Sequence, residues 1–188
     1  MSKIAIDVIV LPPEDIMDKA IEINKQFSDD SIKLNKENCL PHIYLCMGVI
    51  EKEKLSEVEN IVGNISRQFS ELSLNITEIN SQHVCFEVNN EILQKLHEEL
   101  MTNLSTYLSY DATLEMFFSP PEIVEKTLFW VNTYRNTSFE NFYPHITLGI
   151  SKLENHKMNI NFIASKIAIC HLGNYCTCRK ILTSFNLS

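Results

Sequence analysis

Glycine is scarce in this chain, with four in 188 residues. None of the four builds a G-x-G-x-x-G or a G-x-x-x-x-G-K-[ST] stretch, so both common phosphate-cradling loops are excluded. Four glycines and six prolines also leave no linker-rich segment, and residues 1–188 read as a single domain. Positive charge is the second scarcity. Sixteen Lys and Arg stand against 24 Asp and Glu, for a formal net charge of −8. Duplex nucleic acid needs a broad basic face, so no duplex footprint is expected. One phosphate in a cleft needs only a few local donors.

Long apolar runs are missing as well. The opening "MSKIAIDVIVLPP" is interrupted by Asp7 and stopped by Pro12 and Pro13. It is too short for a membrane span and lacks a small-residue cleavage pattern, so neither a membrane partner nor a targeting signal is expected. Six cysteines are present, but Cys176 and Cys178 are one residue too close for a C-x-x-C pair, and no second pair complements them. The expectation is reduced thiols in a cytoplasmic protein, with no metal and no cofactor. The Asn-x-Ser/Thr triplets at Asn64 and Asn75 then carry no glycan.

What is present is apolar patterning, with 45% of residues hydrophobic. Ile4, Ile6, Val8 and Val10 alternate as a strand. Pro13 opens a helix with Ile16, Ala20, Ile23 and Phe27 on its buried stripe. "PHIYL" at residues 41–45 has period two. A helix over 54–69 buries Leu55, Val58, Ile61, Val62, Ile65 and Phe69. Strands follow on Leu72, Leu74, Ile76 and on Val84, Phe86, Val88, then a helix over 90–108. "YDATLEMFF" from Tyr110 is predicted as a strand. "SPPE" from Ser119 opens a helix with Ile123, Val124, Thr127, Leu128 and Val131 inward, and with Phe129 and Trp130 in the core. "PHITL" at residues 144–148 is a strand, and the chain closes with a hairpin turning at Gly173–Asn174. Mixed strands and helices with hairpins predict an α+β chain rather than a doubly wound parallel sheet.

Pro-His-Ile-x-Leu thus occurs twice, slightly over half the chain apart. In each copy the two apolar residues, Ile43/Leu45 and Ile146/Leu148, take one strand face. His42 with Tyr44, and His145 with Thr147, take the other, about 7 Å apart along the strand. Unpaired polar groups are costly to bury, so these residues face water or a cleft. Two opposed imidazoles suit acid–base chemistry, since an ordinary imidazole titrates near pH ~6.5. One ring can take a proton from the attacking hydroxyl or water while the other gives one to the leaving oxygen. The remaining histidines are assigned elsewhere: His83 to an exposed strand start, His97 to a solvated helix position, His156 to a polar loop and His171 to the hairpin turn. Arg179 shares a face with Thr177 and offers a two-pronged phosphate contact. Tyr143 offers a ring for a base. Lys126 and Arg135 are placed on a helix surface.

The doubled "PHIYL"/"PHITL" resembles the paired His-x-Thr/Ser motif of the 2H phosphoesterase superfamily, which includes the 2′-5′ RNA ligase-like proteins. A proline precedes each histidine, Phe142 lies three before the second, and the order of strands and helices agrees over nearly the whole chain. "IDVIVLPPEDIMDKAIEIN" and "LGNYCTCRKIL" also look like members of the 2′-5′ RNA ligase family. The resemblance implies a bilobal α+β fold, with antiparallel sheets, flanking helices and an internal pseudo-twofold. It implies a groove between the lobes holding catalytic His42 and His145, and no metal. It maps Thr147 to a phosphate-binding hydroxyl. Tyr44 departs from the motif, whose first copy carries Thr or Ser there. The activity implied is cleavage of a 2′-5′ or 2′,3′-cyclic phosphodiester in RNA ends or small nucleotides, with ligation as its reverse; a monomer is expected. The alternatives are a hydrolase of cyclic oligonucleotide signals and a non-catalytic nucleotide- or RNA-end-binding module.

Overall fold

The alternating apolar residues near the N-terminus form β1 (Lys3–Leu11), and its interior is buried on both faces. That pattern belongs to a central strand, and β1 lies between β2 (Ile43–Glu51) and β7 (Lys166–Leu172). The computed structural model describes residues 2–88, 90–118 and 123–188. Among them the remaining strands are β3 (Leu72–Asn80), β4 (Cys85–Val88), β5 (His145–Thr147), β6 (His156–Ala164) and β8 (Cys178–Asn186). The helices are α1 (Glu14–Asn24), α2 (Leu55–Ser66), α3 (Glu91–Asn103) and α4 (Glu125–Asn132). None of these helices is long and apolar enough to cross a membrane.

The α+β expectation holds. The strands form one sheet in the order β6-β3-β4-β5-β2-β1-β7-β8, and every adjacent pair is antiparallel. Four strands lie on each side of a seam between β2 and β5. That seam is a single residue pair, Ile43 opposite Ile146. An antiparallel pair has a local twofold axis between its partners, so the two Pro-His-Ile copies sit symmetrically across the centre of the sheet.

Helix ends follow their local chemistry. Pro13 stands at the N-cap of α1, with Glu14 and Asp15 in the first turn, where acidic groups oppose the helix dipole. The Asn90 side chain accepts the Ile92 N–H at 2.8 Å and so caps α3. At the end of α1, buried Asn24 ties three stretches of chain together. Its amide donates to the carbonyls of Ile32 and Leu148, and its oxygen accepts the Leu34 N–H, all at 2.8 Å. Gly149, just past β5, has φ +144, and a β-carbon there would lie 2.7 Å from the Asn24 amide and from the Phe27 ring.

Several expectations are corrected. The predicted strand at "YDATLEMFF" does not form. Ser109 bridges to Val49, and Leu114–Met116 make a short 3-10 turn. The polar stretch around His156 is the start of β6, an edge strand with Met158, Ile160 and Phe162 inward. The proline-rich helix start at 119–122 lies outside the described residues. From Glu125 onward, Thr127 and Val131 are buried, while Val124 is exposed rather than inward. His97 is not solvated. It is fully buried, stacked on Phe142 at 4.1 Å, with both ring nitrogens in hydrogen bonds.

Candidate active site

β2 carries a bulge. Val8 pairs with Cys46 and Ile9 with Tyr44, which leaves Leu45 without an opposite residue on β1. A bulge re-aims the side chains around it. Here the Leu45 carbonyl accepts hydrogen bonds from the His97 ring at 2.5 Å and the Tyr134 hydroxyl at 3.1 Å. Ile43, Leu45, Ile146 and Leu148 are all fully buried. The opposite face of the seam therefore presents His42, Tyr44, His145 and Thr147. Extending the Ile43–Ile146 register sets His42 across from Thr147 and Tyr44 across from His145. The two histidines are diagonal neighbours, a relation that typically spans about 7–8 Å.

All four residues line one groove of about 770 Å³. Both histidines are anchored in the same way. His42 Nδ1 donates to the Leu40 carbonyl at 2.7 Å, and His145 Nδ1 to the Tyr143 carbonyl at 2.8 Å. In each case the acceptor lies two residues upstream, across the proline, whose fixed φ turns that carbonyl back toward the ring. A carbonyl can only accept, so Nδ1 carries the hydrogen and Nε2 is left for the groove. Burial lowers the pKa of both rings. His145 falls to about 4: burial outweighs the opposing bond to the Tyr143 carbonyl, and His83 and His42 add smaller lowering. His42 also falls below its ordinary value, chiefly through burial. Both rings are neutral near neutral pH, and an anion placed between them raises both.

The two hydroxyl positions differ. Thr147 lines the groove, and its hydroxyl makes no hydrogen bond among the described residues. The Tyr44 phenol donates to the Tyr143 carbonyl at 2.8 Å and accepts the Tyr143 N–H at 3.3 Å. Its ring packs edge-on against His145 at 5.1 Å. Tyr44 thus braces the carbonyl that holds His145. The Tyr143 hydroxyl donates to Glu87 at 2.9 Å, and its ring lies 5.3 Å from both His145 and His83.

Arg179 does not line this groove. Its side chain lies across Gly173, with Nε bonded to the Thr177 hydroxyl at 3.0 Å and a terminal nitrogen to the Asn38 carbonyl at 3.3 Å. The lining instead includes Lys126 and His83, both assigned elsewhere from the sequence. Phe129 and Trp130, expected in the core, also line it, 64% and 37% exposed. Among the described residues the lining contains one lysine and one carboxyl, and burial pushes that carboxyl, Asp7, up to about 8. Near neutral pH the described lining therefore carries no negative charge, inside an acidic chain, which suits a phosphodiester.

No family model matches the chain, and no curated protein matches it in sequence. Solved structures match it over its whole length. TT0787 of Thermus thermophilus superposes with a TM-score of 0.65 at 13% identity, covering 98% of each chain. LigT of E. coli, complexed with NADP+, gives 0.58 at 12% identity over 99% of each chain. A phosphoesterase gives 0.57 at 13% identity over 100% of this chain and 99% of the other. The likeness is one of fold, and that fold is the one the doubled motif pointed to.

Proposed function

We propose that the chain is a phosphoesterase in which His42 and His145 act as an acid–base pair on a 2′-5′ or 2′,3′-cyclic phosphodiester of an RNA end or small nucleotide. The observation that carries the reading is the paired anchoring of the two rings. Both Nδ1 atoms are held by main-chain carbonyls two residues upstream, so two Nε2 atoms serve one groove from adjacent strands. The neutral ring takes the proton of the attacking hydroxyl or water, and the imidazolium returns one to the leaving oxygen. Thr147 donates to a non-bridging oxygen. LigT, which shares the fold, has been solved with phosphate, with ATP and with 3′-AMP, and these ligands fit the same chemistry. The mechanism uses side chains alone, so turnover is expected to persist in chelator.

The test is a panel of 2′-5′ dinucleotides, 2′,3′-cyclic mononucleotides and cyclic dinucleotides, assayed with chelator. Turnover of the first two supports the reading. Turnover of cyclic dinucleotides alone redirects it to signal hydrolysis, and binding without any turnover leaves a nucleotide-binding module.

The pH profile follows from the two lowered pKa values. In the free enzyme, kcat/KM gains its acid limb from the ring that must be neutral and its alkaline limb from the ring that must be protonated. Both rings titrate below 6.5, His145 at about 4. The kcat/KM bell is therefore expected to peak on the acid side of pH 6.5. The kcat bell is expected at higher pH, because the bound anion stabilises imidazolium. Initial rates from about pH 4 to about pH 9 check this, and a kcat/KM optimum in the alkaline range contradicts it.

A further inference from the structure

The helix α4 turns its two largest side chains outward. Thr127 and Val131, one turn apart, are fully buried, while Phe129 and Trp130 between them are exposed along the groove. Tyr175, from the turn joining β7 and β8, faces Trp130 with ring centroids 6.4 Å apart and planes at 56°. The Lys126 ammonium sits 4.7 Å from the centre of the indole. Exposed aromatic patches of this kind mark interaction sites.

The wall is braced. Tyr175 and Cys176 have φ of 56 and 54, a left-handed conformation that costs a non-glycine residue free energy and clusters at functional sites. Asn174 holds them there. Its side-chain oxygen accepts the Val124 N–H at 3.0 Å and the Thr127 hydroxyl at 2.8 Å. The Tyr175 N–H in turn donates to the Thr127 hydroxyl at 2.8 Å. The β7–β8 turn is thereby fastened to the first turn of α4, and the two rings keep their relative position.

We propose that this wall is a second subsite of the groove, in which Trp130 and Tyr175 stack a nucleobase and Lys126 contacts a phosphate next to the scissile one. The proposal rests on the reading of His42 and His145 given above and adds the substrate class. The preferred substrate is an oligonucleotide end with at least two bases rather than a lone cyclic mononucleotide. Two observations favour this occupant over a protein or lipid. The one lysine of the described lining stands on this wall and not between the histidines, so a phosphate beyond the scissile one finds its counter-charge here. Aromatic faces flanked by a cation are the general means of holding single-stranded nucleotides, since every base has a flat face to stack.

Trp130 is the only tryptophan in the chain, so its fluorescence reports this wall alone. In a His42→Ala/His145→Ala double variant, which prevents turnover, a 2′-5′ diadenylate is expected to change the emission saturably. The same compound lacking its second base is expected to bind about 5–150-fold more weakly, the worth of one stacked base. In the active protein, Trp130→Ala is expected to lower the ratio of kcat/KM for the dinucleotide to that for the cyclic mononucleotide by a similar factor. Trp130→Phe recovers most of the ratio. Equal affinity for the two ligands, or equal loss on both substrates, overturns the subsite. Saturable emission change in a protein that turns over no phosphodiester keeps the subsite and overturns the catalytic reading instead.

Discussion

Replacing His42 or His145 by alanine is expected to lower kcat by about 10²–10⁴-fold in each case, the usual worth of a positioned general acid or base. Each ring is anchored at Nδ1 to a main-chain carbonyl. Alanine removes both the proton-transfer group and its fixed orientation, and the space left in the groove admits water without a substitute base. The strand itself stays intact, because Ile43 and Ile146 on the opposite face carry the packing. The double variant is expected to lose little more than the worse single variant, since acid and base serve one transition state and their effects do not add. Steady-state rates for the three variants, with circular dichroism to verify folding, decide the matter. A variant that keeps near-full activity removes its histidine from the mechanism.

The stability contributed by one buried carboxyl is expected to fall as pH rises, opposite to the trend of His42, His97, His145 and His171, whose lowered pKa values favour the folded chain as pH rises. That carboxyl belongs to Asp7. It lies mid-strand in β1, opposite Met47 and Cys170, 1% exposed. The Cys46 N–H reaches its carboxyl only at 3.3 Å. Burial pushes that carboxyl from 3.8 up to about 8. At a pH below 3.8 the folded and unfolded chains both hold this proton, and the contribution of Asp7 to stability is complete. Above that, the unfolded chain releases the proton and the folded chain keeps it. The contribution of Asp7 then drops by about 1.4 kcal/mol per pH unit until the folded carboxyl also ionises. Asp7→Asn keeps the shape and abolishes this titration, so the stability of the variant relative to the native protein is expected to rise steadily from about pH 4 to about pH 8. Urea titrations of both proteins across that range test this, and parallel pH dependences count against a protonated Asp7. The same protonation keeps the described lining of the groove free of negative charge near neutral pH.

Much of this architecture was legible in the sequence because it depends on local periodicity. The alternation in "PHIYL" and "PHITL" placed four polar residues on one strand face, and the structure presents all four to one groove. The failures come from contacts that periodicity does not carry. His97 precedes two glutamates on a helix and reads as solvated, yet its ring is stacked on Phe142 from a distant loop. Arg179 has the right chemistry for phosphate, but Thr177 and the Asn38 carbonyl hold it outside the groove. Phe129 and Trp130 read as core when their place on a helix is taken as an inward one. The spacing of Thr127 and Val131 contained the better signal, since it sets the buried face one turn apart and leaves the aromatics between them outside. The β6 strand was hidden by lysine and asparagine on its solvent face, although Met158, Ile160 and Phe162 alternate beneath them. Tyr44 departs from its motif at the level of sequence, but its bond to the main chain beside His145 depends on a fold-level meeting of residues almost a hundred positions apart.

The single pair at the centre of the sheet makes the diagonal step between neighbouring strands, about 7–8 Å, the ruler for the two imidazoles. No surface segment takes part in that measurement. Lengthening or shortening the excursions that rim the groove alters what fits beside the rings and leaves their separation untouched. Removing one residue from within either strand has the opposite effect: it rotates the alternation by half a period, brings an isoleucine to the groove and sends the histidine toward the core.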